Sequence, residues 1–459
     1  MRLQLRIRRV VCSILFAYMA LTIPALAQQA AKKSTGQPPL LDRELFFGDP
    51  EISGAQISPD GKFIAFLKPY KDTRNIWVKG AGEPFSAARL VTSDTKRPIP
   101  GYFWSRDGKY ILFVQDKAGD ENYNVYAVNP AEAPSAGEAA PKTRNLTDLK
   151  SVRASIYAVP KSDPDLIYIG LNDRDQAWHD LYKIRISTGE RTLIRKNTER
   201  LISWVFDLKD QLRLALRSAD NGDTEVLRVD GDGFKKVYSC NVFETCVPVR
   251  YHKDGKRVYM VTNKGKEIDL VRLVLFDPET GKEELVESDP MNRVDLGSPI
   301  FSEVTDELVA TAYEDERVRI YWRDKSFESD YALLKKRLPN KDINFGSSTK
   351  DETLWLISAA SDVEPGETHL FDRKTKKLTL QYRIREKLPR GHLAEMKPIR
   401  YKSSDGLEIP AFLTLPKGVE AKNLPLIVNP HGGPWYRDSW GYNTFAQFSA
   451  NRGYAVLQP

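Results

Sequence analysis

Seven copies of one turn-and-strand pattern, followed by a strand, glycine turn, helix and strand at the far end of the chain, predict a mostly β protein. The repeat points to a seven-bladed β-propeller, because four strands in some forty-five residues make one blade. The terminal run points to the first part of an α/β domain.

Taken in order, the first element is a leader. Arg2, Arg6, Arg8 and Arg9 form a positive start, Val10 to Ile23 is an apolar run, and Ala25-Leu26-Ala27 is a small-x-small cleavage site. Residues 1–27 are therefore expected to be a secretory signal peptide, with export to a periplasm and no stable membrane insertion after cleavage. An uncleaved anchor is the alternative. Its loss removes four arginines and no acid, so the formal charge falls from +7 to +3. A balance this close to neutral gives no reason to invoke nucleic acid as a partner. Residues 28–41 are small and polar, and read as a flexible linker.

The repeats occupy residues 42–393. ISPDGKFIAFL starts at Ile57, WSRDGKYILFV at Trp104 and YHKDGKRVYMV at Tyr251. Each is a polar turn with Asp-Gly at its tip, then an alternating strand; Asp-Gly accepts the positive φ angles of a tight hairpin. Weaker copies start at Val159, Phe206, Ser302 and Ser347, and of these FDLKDQLRLAL at Phe206 is the least regular, since its turn lacks glycine. The turns fall at positions 60, 107, 163, 210, 254, 306 and 351, in steps of 47, 56, 47, 44, 52 and 45 residues. Asp60, Asp107 and Asp254 are read as turn formers and not as a site.

Cys240 and Cys246 enclose NVFET. In an oxidising compartment such a pair is expected to be a disulfide; two buried free thiols are the alternative. Nothing near them, or elsewhere, has metal-ligand spacing, and no metal or organic cofactor is expected. His179 reads as structural, while His252, His369 and His392 lack a sequence context that would make them a catalytic base.

Residues 394–459 break the repeat. Pro398 to Ser403 and Leu407 to Leu415 read as a hairpin, and Leu424 to Val428 as a buried strand. That strand empties into Asn429-Pro430-His431-Gly432-Gly433-Pro434. A loop carrying Trp435 and Trp440 follows, then a helix over Asn443 to Arg452 with Phe445, Phe448 and Ser449 on one side, then a strand from Tyr454. A glycine turn after such a strand suits an oxyanion hole, whose bare N–H donors must lie about 3 Å from a developing charge. An ordinary Gly-Gly turn is the bland alternative.

HGGPW, RDSWGYN and QFSANRGYAVLQP, with WHDLY in the third repeat, resemble prolyl-oligopeptidase-type serine peptidases, and more closely their acylaminoacyl-peptidase-like branch. The resemblance implies that Gly433 N–H is an oxyanion donor with Gly432 beside it, and that His431 and Trp435 border the site. Prolyl oligopeptidases proper place a tyrosine hydroxyl where His431 stands, a departure that leaves the role of the His431 side chain open. The resemblance implies hydrolysis of short peptides, with the propeller restricting access to a Ser-His-Asp triad. The chain contains no G-x-S-x-G elbow, so catalytic residues are expected after Pro459 and the chain alone is expected to be inactive. An exported propeller that only binds is the competing reading, disfavoured by residues 398–459.

Overall fold

The computed structural model describes residues 36–433 and 436–459. The expected signal peptide lies outside the described residues. The chain divides into two compact units: residues 44–388 with 439–442, and residues 1–43, 389–438 and 443–459.

The larger unit is a seven-bladed propeller. Seven antiparallel sheets follow one another at residues 53–90, 102–145, 154–195, 201–240, 246–287, 296–322 and 342–383. Each is built from one continuous stretch of chain, so no strand is shared between the last blade and the first. First strands lie side by side between blades 7 and 1, 3 and 4, and 4 and 5. Hydrophobic cores sit between neighbouring blades: Leu67, Ile76 and Val78 of blade 1 pack with Trp104, Ile111 and Phe113 of blade 2. Blade 7 meets blade 1 through Leu356 against Ile57 and Ile64, and Ile57 N–H donates to Ser347 Oγ at 2.9 Å. That contact closes the ring by side-chain burial and a few hydrogen bonds, without a shared strand.

The turn chemistry explains the repeat. Ser58 Oγ donates to Asp60 Oδ1 at 2.6 Å, Lys62 N–H donates to the same oxygen at 3.1 Å, and Phe63 N–H donates to Ser58 Oγ at 3.0 Å. Ser105 with Asp107, and Thr349 with Asp351, repeat this arrangement. The aspartates therefore hold turns, each satisfying local N–H groups. Gly61, Gly108 and Gly255 sit at φ 74°, 71° and 69°. Where glycine is missing, Asp210, Asp306 and Glu352 take the same left-handed conformation at 58°, 57° and 54°, which costs roughly 1–2 kcal/mol each. The irregular copy at Phe206 is thus a regular blade with a more strained turn.

One blade departs from the four-strand expectation. Blade 6 has three strands, and the helix Lys325–Arg337 follows its last. Asp324 caps that helix by accepting from Ser326 N–H at 2.8 Å and Phe327 N–H at 3.0 Å. The sequence carried the signal: Phe327, Tyr331, Leu334 and Leu338 recur at helical spacing behind an Asp cap. Phe327 and Leu334 are buried, and Leu334 and Leu338 join Ile343, Ile357 and Phe371 of blade 7 in one cluster.

In the smaller unit, Met396–Lys402 pairs antiparallel with Glu408–Thr414, which pairs with Ala455–Gln458; Leu426–Val428 lies parallel to that last strand at the sheet's edge. The order first, second, fourth, third needs a crossover between the parallel pair, and the helix Thr444–Asn451 supplies it. Of Phe445, Phe448 and Ser449, grouped on one side in the sequence, the helix buries only Ser449. Ala446, Gln447, Ser449, Ala450 and Asn451 are inside, whereas Phe445 is 41% exposed. Polar anchoring decides the face. Gln447 accepts from Ala394 N–H at 2.9 Å and donates to Ala394 O at 2.6 Å, while Asn451 accepts from Leu41 N–H and donates to Pro39 O.

Candidate functional site

The glycine turn is held at its base. Asn429 N–H donates to Leu457 O at 2.8 Å, extending the parallel pairing by one residue beyond Val428. The chain then leaves the sheet at the carboxyl end of a parallel strand, where α/β folds place their ligand sites. Asn443 caps the returning helix by accepting from Ala446 N–H at 2.9 Å. Turn and helix start are therefore fixed from both sides.

Gly433 has φ +67°, a conformation that only glycine adopts freely. A Cβ built at Gly432 or Gly433 meets nothing within 4 Å. The need for glycine at 433 thus comes from the backbone conformation in this chain, and not from a crowded wall. Among the described residues, neither the Gly432 nor the Gly433 N–H has an acceptor in the protein, so both donors are open. His431 is half-buried, its Nδ1 lies 3.3 Å from Gly432 O, and its ring meets Tyr436 edge-on at 6.2 Å. Trp435 lies outside the described residues. Trp440 belongs to the propeller unit, where the Arg317 guanidinium stacks 3.4 Å from its ring centre.

Elsewhere the structure adds what the sequence reading missed. His252 Nδ1 lies 2.9 Å from Asp254 Oδ2, and His369 Nε2 lies 3.1 Å from the buried Glu367 carboxylate. Both histidines therefore do have a carboxylate partner, contrary to the reading of their context. The signal was an i, i+2 spacing: on the strand Glu364–Asp372 it puts Glu367 and His369 on one face, and at His252 a tight turn brings Asp254 back to the ring. Glu367 also accepts from Lys341 at 2.6 Å and Arg383 at 3.0 Å, and these donors hold its pKa down to about 2 against the cost of burial. Burial pushes the His369 imidazole below its ordinary value, and burial followed by the nearby Arg153 charge does the same for His179. The His179 Nε2 and His392 Nδ1 atoms are buried without a hydrogen-bond partner.

Cys240 ends the outer strand of blade 4 and Cys246 begins the inner strand of blade 5. The two are joined, with Cα atoms 6.0 Å apart. The bridge closes the turn that carries the chain from one blade to the next, and both residues lie in the core between those blades.

No protein-family model matches the chain. In sequence it is 32% identical over 460 residues to dipeptidyl aminopeptidase BIII of Pseudoxanthomonas mexicana, covering 97% of this chain and 64% of that protein. It is 25% identical over 454 residues to dipeptidyl peptidase family member 6 of Caenorhabditis elegans, covering 91% of this chain and 60% of that protein. The chain therefore spans less than two thirds of the length of these curated relatives. Among solved structures, a study of two prolyl endopeptidases gives a TM-score of 0.63 at 15% identity, covering 91% of this chain and 62% of that one. The acylaminoacyl peptidase of Pyrococcus horikoshii gives 0.57 at 13% identity, covering 91% and 66%. The chain is thus similar in sequence to a dipeptidyl aminopeptidase, the kinship that the HGGPW run implied, and shares its fold with prolyl endopeptidase and acylaminoacyl-peptidase structures.

Proposed function

We propose, from that kinship, that the chain is the propeller and the opening hydrolase segment of a serine peptidase that cleaves short peptides by acyl transfer. The observation that carries the reading is the glycine turn at Gly432-Gly433. It presents two open N–H donors at the end of a parallel strand in a sheet ordered first, second, fourth, third. Open backbone N–H donors stabilise a developing oxyanion, and in this reading Gly433 N–H, with Gly432 beside it, takes that role. His431 precedes the two glycines and borders the site in this reading.

Acyl transfer also requires a nucleophile and a base within hydrogen-bond reach. In this reading they lie beyond Pro459, on a G-x-S-x-G elbow with its Asp and His partners. The leader directs the protein to the periplasm, and the propeller filters peptides by size. The test is a fluorophosphonate label applied to the 459-residue chain and to a version extended by the codons that follow. The extended protein labels stoichiometrically and the 459-residue chain does not. Labelling of the shorter chain, or an extension without the elbow, overturns the reading.

A further inference from the structure

The turns that end the first strands meet one another from blade to blade, as in Lys350 N–H to Pro59 O at 2.8 Å, Ser162 N–H to Asp210 Oδ2 at 2.7 Å and Glu303 N–H to Glu352 Oε1 at 2.7 Å. In six of these turns the same hydrogen bond closes the loop, as in Ser105 N–H to Tyr110 O and Ser302 N–H to Glu307 O. The residue that follows the first of each pair occupies one equivalent position. Around the ring that position reads Pro59, Arg106, Lys161, Leu208, Lys253, Glu303 and Lys350. It holds four cations and one acid, and the acid is where the others converge.

Glu303 Oε1 accepts from Arg250 Nη1 at 2.7 Å, and its Oε2 lies 3.4 Å from both Arg106 Nη1 and Lys161 Nζ. Lys161 Nζ also donates to the Glu303 carbonyl at 2.8 Å and to Asp306 Oδ1 at 2.7 Å, and Arg250 pairs with Asp306 as well. The anchors beneath are firm. Arg106 Nε donates to Val159 O at 2.9 Å, and Ser162 N–H donates to Asp210 Oδ2 at 2.7 Å. Glu303 N–H donates at 2.7 Å to the buried Glu352 carboxylate, which also accepts from Ser302 Oγ at 2.8 Å. Burial disfavours the Glu303 charge, yet the three cations hold its pKa down to about 2. Arg106, Lys161 and Glu303 also line a cavity of about 1000 Å³ at these turns, beside Pro59, Phe103 and Trp104.

We propose that Glu303 and Asp306, gripped by Arg106, Lys161 and Arg250, form an ion-pair strap across the channel mouth. The strap ties blades 2, 3, 5 and 6 to one another and sets how far that end of the propeller opens. The residues come from four blades and are separated by up to 200 positions, so the strap joins blades 2 and 3 to blade 6, which the chain connects only through intervening blades, and also ties blade 5 to its neighbour. Its acids and bases are between 17% and 47% exposed. Single pairs of that exposure contribute little, but a network sharing two carboxylates is cooperative. Partial exposure also makes it sensitive to salt.

The test is hydrogen–deuterium exchange on the full chain, read peptide by peptide, for the native protein and for Glu303→Gln. The variant keeps the side-chain shape at a position whose side chain is 47% exposed, and is not expected to disturb folding. Exchange rises several-fold in the turns spanning residues 105–110, 160–165 and 250–257 as well as at 302–307, while the blade 1 turn at 58–63 is unchanged. Raising the salt to about 1 M, where screening acts over about 3 Å, reproduces the change in the native protein and adds nothing in the variant. A rise confined to residues 302–307 overturns the proposal, and so does an equal rise in all seven turns. A salt response of the same size in the variant also overturns it.

Discussion

Replacing Asp289 with alanine should be among the most damaging single changes in the propeller. Its carboxylate is fully buried just past the outer strand of blade 5. It accepts a bidentate pair from Arg319 of blade 6 at 2.7 and 2.8 Å. It also accepts backbone N–H groups from Met291 at 3.1 Å, Arg293 at 2.8 Å and Val294 at 3.1 Å. The Arg319 guanidinium, followed in effect by the backbone donors, holds the carboxyl well below the usual aspartate range despite burial. Truncation leaves a cation, only 19% exposed, with its main partner gone, and strands three amides. Breaking a buried pair from one side costs about 3–5 kcal/mol, and the stranded donors place the change in the upper half of that range. Arg319→Met should cost a similar amount. The double variant should cost less than the sum, with a coupling of about 2 kcal/mol or more. Urea unfolding of the four proteins measures the cycle. The pH dependence has a definite sign. A depressed folded-state pKa contributes stability that is fully present above the unfolded value of about 3.9 and is lost as pH falls through the folded value. The gap between native protein and Asp289→Asn should therefore be flat from pH 5 to 8 and shrink only in strong acid. Single variants within about 0.5 kcal/mol of native, or strictly additive costs, would refute the reasoning.

Two further outcomes are expected. Replacing Cys240 and Cys246 by serine should lower stability by about 2 kcal/mol, the loop-entropy value for so short a ring, and intact mass under alkylation should show the native pair protected until a reductant is added; modification without reductant would contradict the bond. Removing residues 389–459 should leave a soluble propeller and reduce self-association, because Leu426 and Val428 at the sheet edge are each 55% exposed. Light scattering that is unchanged or worse after truncation would show that this edge is not the source.

The sequence by itself determined the number of blades and the type of both units. The reason is that their signals are local: a turn of Ser, Asp and Gly satisfies its own N–H groups, and a strand of alternating residues declares its buried face. Even the glycine-less turn at Asp210 kept its place, since the flanking strands impose a conformation that an Asp tolerates. The helix Lys325–Arg337 was equally local, with its cap and spacing in plain sight. Tertiary structure alone decided the rest. Gln447 chose the buried face of its helix by reaching Ala394, 53 residues away, so the small residues beside it went inside and Phe445 stayed out. His369 found its carboxylate two residues away on the same strand, but only burial made that pairing matter. Glu303 meets Arg106, Lys161 and Arg250 because a closed ring brings equivalent turns to one axis. No spacing along the chain encodes that meeting, since charge pairing across a propeller depends on the angle between blades and not on the distance between residues in sequence.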